Sequence, residues 1–319
     1  MNTTTSSAFH FPSLVWDWPI AIYLFLIGIS AGLVTVAILL RRYHPQAGTA
    51  QSGIMRTTAI VAPLSIIVGL VILIFHLTRP WTFWKLMFHY SFTSVMSMGV
   101  MLFQVYTVVL LVWLAIIFHE EVAGLQRRFV PRMGWINTLV SRLAGFTRGL
   151  ENLLMVLAVL LGAYTGFLLS ALKSYPFLNN PVLPALFLFS GVSSGISVAI
   201  LTAVKMFRVS PDSQEIHFVH RLEKPVVGLE IFLLAAFLIG LLLGGGGKEE
   251  ALMAAVGGGF WAWWFWVGVV GIGLVLPLLV RMVWRSHSSL QLWLTAGASL
   301  CGVLLLRFFV LYAGQMTVV

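Results

Sequence analysis

Eight apolar runs dominate this chain of 319 residues, covering roughly 19–40, 54–78, 93–118, 149–171, 183–205, 222–243, 261–283 and 290–313. A helix needs about 20 mainly apolar residues to cross a bilayer, and each run reaches that length. Charged residues make up only 9% of the chain and hydrophobic ones 60%. A soluble domain carries about 25% charge, so only short loops remain here. The expectation is an all-α integral membrane protein with eight transmembrane helices.

Lysine and arginine orient such a chain. The loops after spans 1, 3, 5 and 7 hold 14 of them, and the opposite side holds 4: Arg79, Lys85, Lys173 and Lys248. The positive-inside rule then places both termini outside, which in a bacterium is the periplasm. The net charge of +9 is a topology signal, and no nucleic-acid partner is expected. The start of the chain has no basic stretch ahead of its first apolar run, and Arg41-Arg42 follow that run. This predicts a retained first helix and not a cleaved signal. Residues 1–18 form a periplasmic segment in this reading.

Two segments match each other. Residues 23–32 read YLFLIGISAG and residues 186–195 read LFLFSGVSSG. Both contain G-x-S-x-G and follow a proline, Pro19 or Pro184. Span 4 ends in Tyr164-Thr-Gly and span 8 in Tyr312-Ala-Gly. Two four-helix bundles in parallel repeat, 19–171 and 172–319, fit both matches. The small residues Gly28, Ser30, Gly32, Gly191, Ser193 and Gly195 suit close helix packing. The longest connection, 119–148, spaces Trp135, Leu139, Leu143 and Phe146 at helical intervals, with Arg132 and Arg142 elsewhere. It reads as a basic amphipathic helix on the cytoplasmic surface of the bilayer.

Between spans 2 and 3, His76 to Gly99 reads HLTRPWTFWKLMFHYSFTSVMSMG. Arg79-Pro80 stops a helix there. Trp81, Phe83, Trp84, Phe88 and Tyr90 suit the membrane–water interface. Asp17, Tyr23, His76, His89 and Tyr164 reach the same outer leaflet. Tyrosine and histidine both donate and accept hydrogen bonds, as a quinone and its hydroquinone require. Histidine also titrates near neutral pH. The candidate quinone-binding residues are Tyr23, His76, Tyr164, Asp17 and His89. His76 and Arg79 are the candidates for catalysis.

Ionisable residues inside spans are costly and usually functional. Glu151, Glu230 and Arg307 are therefore candidates for a proton path, although the expected depths of Glu230 and Arg307 argue against a direct pair. The histidines lie in loops or at span ends and offer no axial pair for haem. The one cysteine, Cys301, rules out an intrachain disulfide and a thiolate-held Fe–S cluster. No metal site is expected.

The stretches YLFLIGISAG, FHLTRPWTFWKLMFHYSFTSVMSMG, LLGAYTGFLLSALKSYPFLNNPVLP and LRFFVLYAGQ resemble the NrfD family, relatives of the polysulfide reductase membrane subunit. The resemblance runs over essentially the whole chain. It implies a bacterial inner-membrane subunit with no redox cofactor of its own. Such subunits bind menaquinol near the periplasmic face and pass electrons to a periplasmic ferredoxin-like Fe–S subunit. Multihaem c-type cytochromes carry them on to nitrite, giving ammonium. In the polysulfide reductase relative, a first-helix histidine and a fourth-helix tyrosine contact the quinone. The tyrosine corresponds to Tyr164, and Tyr23 takes the place of the histidine. Two other readings are a passive membrane anchor for a redox partner and a proton or solute transporter. A transporter would gather its polar residues near the midplane, whereas most here sit at the outer edge.

Overall fold

The structure is a computed structural model that describes residues 7–77, 79–129, 135–283 and 289–318. Arg132, Arg285, His287 and Val319 lie outside the described residues.

Among the described residues, eight helices are long and apolar enough to cross a membrane. They are α1 (Trp18–Tyr43), α2 (Gly53–His76), α3 (Val95–Ile117), α4 (Thr147–Ser170), α5 (Leu183–Lys205), α6 (Gln214–Leu242), α7 (Gly259–Val283) and α8 (Ser289–Ala313). Ser52, Ser94 and Ser213 cap α2, α3 and α6, each accepting a backbone N–H of the first turn. The protein is a multi-pass, all-helical membrane protein.

Some boundaries differ from the sequence reading. Helix α6 begins eight residues before the expected 222, because Ser213 starts it and the helix runs through Pro225. His217 and His220 are therefore helical and not in a loop. A short helix, Lys248–Val256, precedes α7. The centre of α7, Trp264–Val275, winds as a π-helix. The 119–148 connection folds as two short helices, His119–Phe129 and Trp135–Leu143, with Trp135, Leu139 and Phe146 exposed.

Helices α1 and α5 form the centre. Their most apolar windows are 72% and 61% buried, against 28% for α2, α3 and α6. The matching glycines of the two segments face one another. A Cβ on Gly191 would sit 3.2 Å from Gly28 Cα, and one on Gly28 would sit 3.2 Å from Gly191 Cα. A Cβ on Gly195 would overlap the backbone of Gly32. Lipid tails are as apolar as leucine, so close backbone approach and hydrogen bonds hold such helices together. Ser30 of α1 and Tyr106 of α3 supply one such bond at 3.1 Å. At one end of the bundle Arg41 Nε donates to Glu151 Oε1 at 2.8 Å, and Trp113 Nε1 donates to the same oxygen at 3.3 Å. At the other end the N- and C-terminal stretches meet. The buried Gln315 accepts the backbone N–H groups of Val15 and Trp16, both at 2.9 Å, and donates to Trp16 O.

Two outcomes test this packing by thermal unfolding of the purified protein. Gly195→Ala should lose about 1–3 kcal/mol, because the added methyl meets backbone. Gly228→Ala faces open space in a helix interior and should gain about 0.5–1 kcal/mol. At the Arg41 end, Arg41→Ala leaves the carboxylate of Glu151 buried without its cation and should cost about 3–5 kcal/mol. Arg41→Ala with Glu151→Gln should recover most of that loss.

Candidate functional site

The end of the molecule where the two termini meet also holds a cavity of about 740 Å³. Four helices and two loops wall it. Tyr23 comes from α1, His76 from the last residue of α2, Phe103 and Gln104 from α3, and Tyr164 from α4. Phe83 and Met87 belong to the segment that follows Pro80, and Val15 and Trp16 to the stretch before α1. Most of the lining is apolar, with a few polar groups, as in sites that bind amphiphilic molecules.

Local sequence explains how these side chains converge. Arg79-Pro80 ends α2 and turns the backbone, so that a short helix, Phe83–Phe88, packs against α3. Gly99 opens α3 to its neighbour, since a Cβ there would overlap the Tyr164 ring and hydroxyl. Tyr23 and Tyr164 flank Phe103, with ring centroids 5.9 and 6.0 Å from it. Both tyrosines are buried, so each hydroxyl is held beside the cavity and away from bulk water. Asp17 precedes α1, and its Oδ1 lies 3.4 Å from His76 Nδ1, an ion pair whenever the imidazole is protonated. The arrangement offers two hydroxyls for hydrogen bonds to a bound carbonyl or hydroxyl. It also offers an imidazole next to a carboxylate.

Not every candidate residue joins this group. Arg79 stands at the turn, where its backbone oxygen accepts from Thr82 N and Thr82 Oγ1 at 3.1 and 2.9 Å. His89 ends the short helix with Nδ1 3.3 Å from Lys85 O. Both sit on the segment that roofs the cavity and neither lines it. Glu151 lies at the opposite end of the bundle, against Arg41 and Trp113. Glu230 and Arg307 are buried elsewhere, on the far side of α1 and α5 from the cavity. Both lie deep in helices that run in the same direction, Glu230 in α6 and Arg307 in α8. Helix α6 starts earlier than expected, so the two residues lie at similar depth. They make no ion pair within 4 Å. Arg307 Nη2 donates to Phe187 O at 3.0 Å, and its guanidinium lies 3.7 Å over the Phe187 ring.

Sequence reasoning missed Gln104, Phe103 and Trp16. Gln104 is an amide inside an apolar span, a signal the hydropathy pattern absorbed. It accepts the Tyr90 hydroxyl and donates to Met87 O at 3.1 Å, tying the roof to α3. A second polar group was also missed. Glu223 carries His220 Nδ1 at 3.1 Å on one oxygen and Arg281 on the other. No group of three or more potential ligands gathers into a metal site among the described residues.

Comparison with known proteins agrees with this architecture. A family model described as "Polysulphide reductase, NrfD" matches residues 6–319. The protein is 66% identical over 316 residues to "Protein NrfD" of Escherichia coli (strain K12), covering 99% of each. It is 49% identical to "Protein NrfD homolog" of Haemophilus influenzae, covering 97% of each. It is 41% identical to a polysulfide reductase subunit of Wolinella succinogenes, covering 99% of each. A full-length family match, together with eight helices in place of the eight apolar runs, assigns the protein to the NrfD family of membrane subunits.

Proposed function

We propose that the cavity binds the head group of menaquinol and that the protein is a quinol-oxidising membrane subunit. The observation that carries this reading is the convergence of Tyr23, His76 and Tyr164 on one large, mostly apolar cavity at the end of the bundle. An isoprenoid quinol needs an apolar space and a few polar groups at its head, and this lining offers both. Tyr164 positions one quinol oxygen by hydrogen bonding and Tyr23 positions the other side of the ring. His76 takes a proton, with Asp17 beside it to hold the resulting charge. Oxidation of the quinol yields a quinone, two protons and two electrons. The protons leave at the His76 end. The electrons pass to a periplasmic ferredoxin-like Fe–S subunit docked on the segment around Arg79–Tyr90, where Trp81, Trp84 and Phe88 are exposed. Arg79 and His89 serve that docking surface. From there, c-type cytochromes carry the electrons to nitrite.

In this reading the protein sits in the bacterial inner membrane with both termini and the quinol site facing the periplasm. The 14-to-4 division of basic residues supports it. Alkaline phosphatase fused to the C-terminus should then be active, and a reporter that works only in the cytoplasm should be silent. The reverse pattern inverts the topology.

The site is tested by quinol-to-nitrite electron flux at matched membrane levels of the subunit. Tyr164→Phe removes one hydroxyl and little volume. It should slow flux by about 10²-fold, the usual cost of losing a hydrogen bond to the transition state. His76→Ala should slow flux and also alter its pH dependence, whereas a histidine with a purely structural role lowers protein abundance instead. Wild-type flux in both variants places the quinol elsewhere. A passive anchor would tolerate both changes while still holding its partner in the membrane.

A further inference from the structure

We propose that the connection between α3 and α4 binds anionic phospholipid at the membrane face opposite the termini, with arginines on the phosphate and an apolar stripe on the acyl chains. That face is at the other end of the bundle from the large cavity, so quinol binding plays no part.

Helical winding at that end continues past what a bilayer requires. A 3₁₀ turn, Ala144–Phe146, joins the short helix Trp135–Leu143 to α4. Asn137–Ser170 is thus a helical run of 34 residues, with a rise of about 51 Å. The hydrocarbon core is about 30 Å thick. The first turns of this run therefore stand in the headgroup zone.

One side of the run stays apolar along its whole length. Leu139, Phe146, Leu153, Leu160 and Phe167 follow one another at steps of seven residues, and all are exposed. Seven residues make two turns to within about 20°, so these side chains form one stripe. From Leu153 onward the stripe lies on a membrane-spanning helix and faces lipid. Phe146 and Leu139 carry it beyond the spanning part. Trp135, four residues before Leu139, is exposed too and suits headgroup depth.

Cations gather on this extension. Arg142 falls on the stripe, three residues after Leu139 and four before Phe146, the spacing of a single helix face. An arginine there lays its stem along apolar neighbours and keeps its guanidinium at the polar surface. Arg142, Arg148 and Arg127 are exposed. Among the described residues, no carboxylate lies within ion-pairing distance of Arg142 or Arg148. Asn137 Nδ2 donates to Gln126 Oε1 at 3.0 Å. That bond sets the basic end of the first short helix, which carries Arg127, against the start of the second. The acidic residues Glu120 and Glu121 sit at the far end of the first helix. A guanidinium matches a phosphate through two parallel hydrogen bonds.

A soluble protein is the competing occupant of the stripe. Such a partner would cover a patch set apart from the lipid-facing surface. Here the patch is continuous with that surface at Leu153, and its cations stand where lipid phosphates lie.

Spin-label accessibility on the full-length protein in nanodiscs tests this. A nitroxide at Leu139→Cys, in a Cys301→Ala background, is compared in phosphatidylcholine alone and with about 30% phosphatidylglycerol added. The anionic lipid should raise its contact with oxygen and lower its contact with a water-soluble nickel chelate, and high salt should reverse the change. A label at Leu153→Cys should report lipid in every disc, which checks that the helix is inserted. Arg127→Gln, Arg142→Gln and Arg148→Gln should each weaken the response to phosphatidylglycerol about 5-fold, the usual share of one basic residue at an anionic surface. The proposal is overturned if the Leu139 label meets water in both lipids, if both reagents are shut out as by a protein contact, or if it meets lipid equally in both and the arginine variants and salt change nothing.

Discussion

The contact of α1 with α5 is the constraint on which the rest depends. Four glycines let two backbones touch where any side chain would separate them. Helices in lipid gain nothing from hiding apolar surface from one another, so close packing must supply the association. Because these helices meet so closely, each can be surrounded by others, and their windows are the most buried of any pair in consecutive halves of the protein. The remaining helices fall on two sides of this pair. The large cavity lies on the side of α2, α3 and α4, and a narrow one on the side of α6, α7 and α8.

The two sides are built in opposite senses. On the first, the end near the termini is hollow, and the other end is closed by Arg41, Glu151 and Trp113. On the second, the termini end is packed with aromatic rings and the other end carries His220, Glu223 and Arg281. Buried polar groups cost free energy wherever they lie, so their placement at opposite ends is informative. Glu151 Oε1 accepts from both Arg41 and Trp113, as a structural closure should. The Glu230 group is incompletely partnered and borders free space.

Much of this was legible in the sequence because membrane helices obey few rules. Length and hydropathy give the eight spans, and the G-x-S-x-G match marks where α1 and α5 meet. Tyr23, His76 and Tyr164 could be placed at one depth by counting residues from span ends. What escaped detection depended on where helices start and which way residues face. Ser213 begins α6 before its charged residues, so His220 looked like loop, Glu223 fell at the edge of its span, and Glu230 looked too shallow to approach Arg307. Gln104 lay inside an apolar run whose average hid it. Arg79 and His89 share the right segment with His76, yet a turn of a few residues aims them away from the cavity. Hydropathy has no term for such rotation.

Arg307 connects these observations. It is fully buried, yet it forms no direct pair, and its Nη2 lies 3.5 Å from where a Gly28 Cβ would stand. Gly28 is five residues from Tyr23 on the same helix, little more than one turn. A Cβ at Gly28 would sit 3.2 Å from Gly191 Cα, so the backbone of α5 leaves little room there, and the guanidinium packs beside that contact. The close glycine contact keeps the two sides packed together, with the guanidinium held between Phe187 and Gly28.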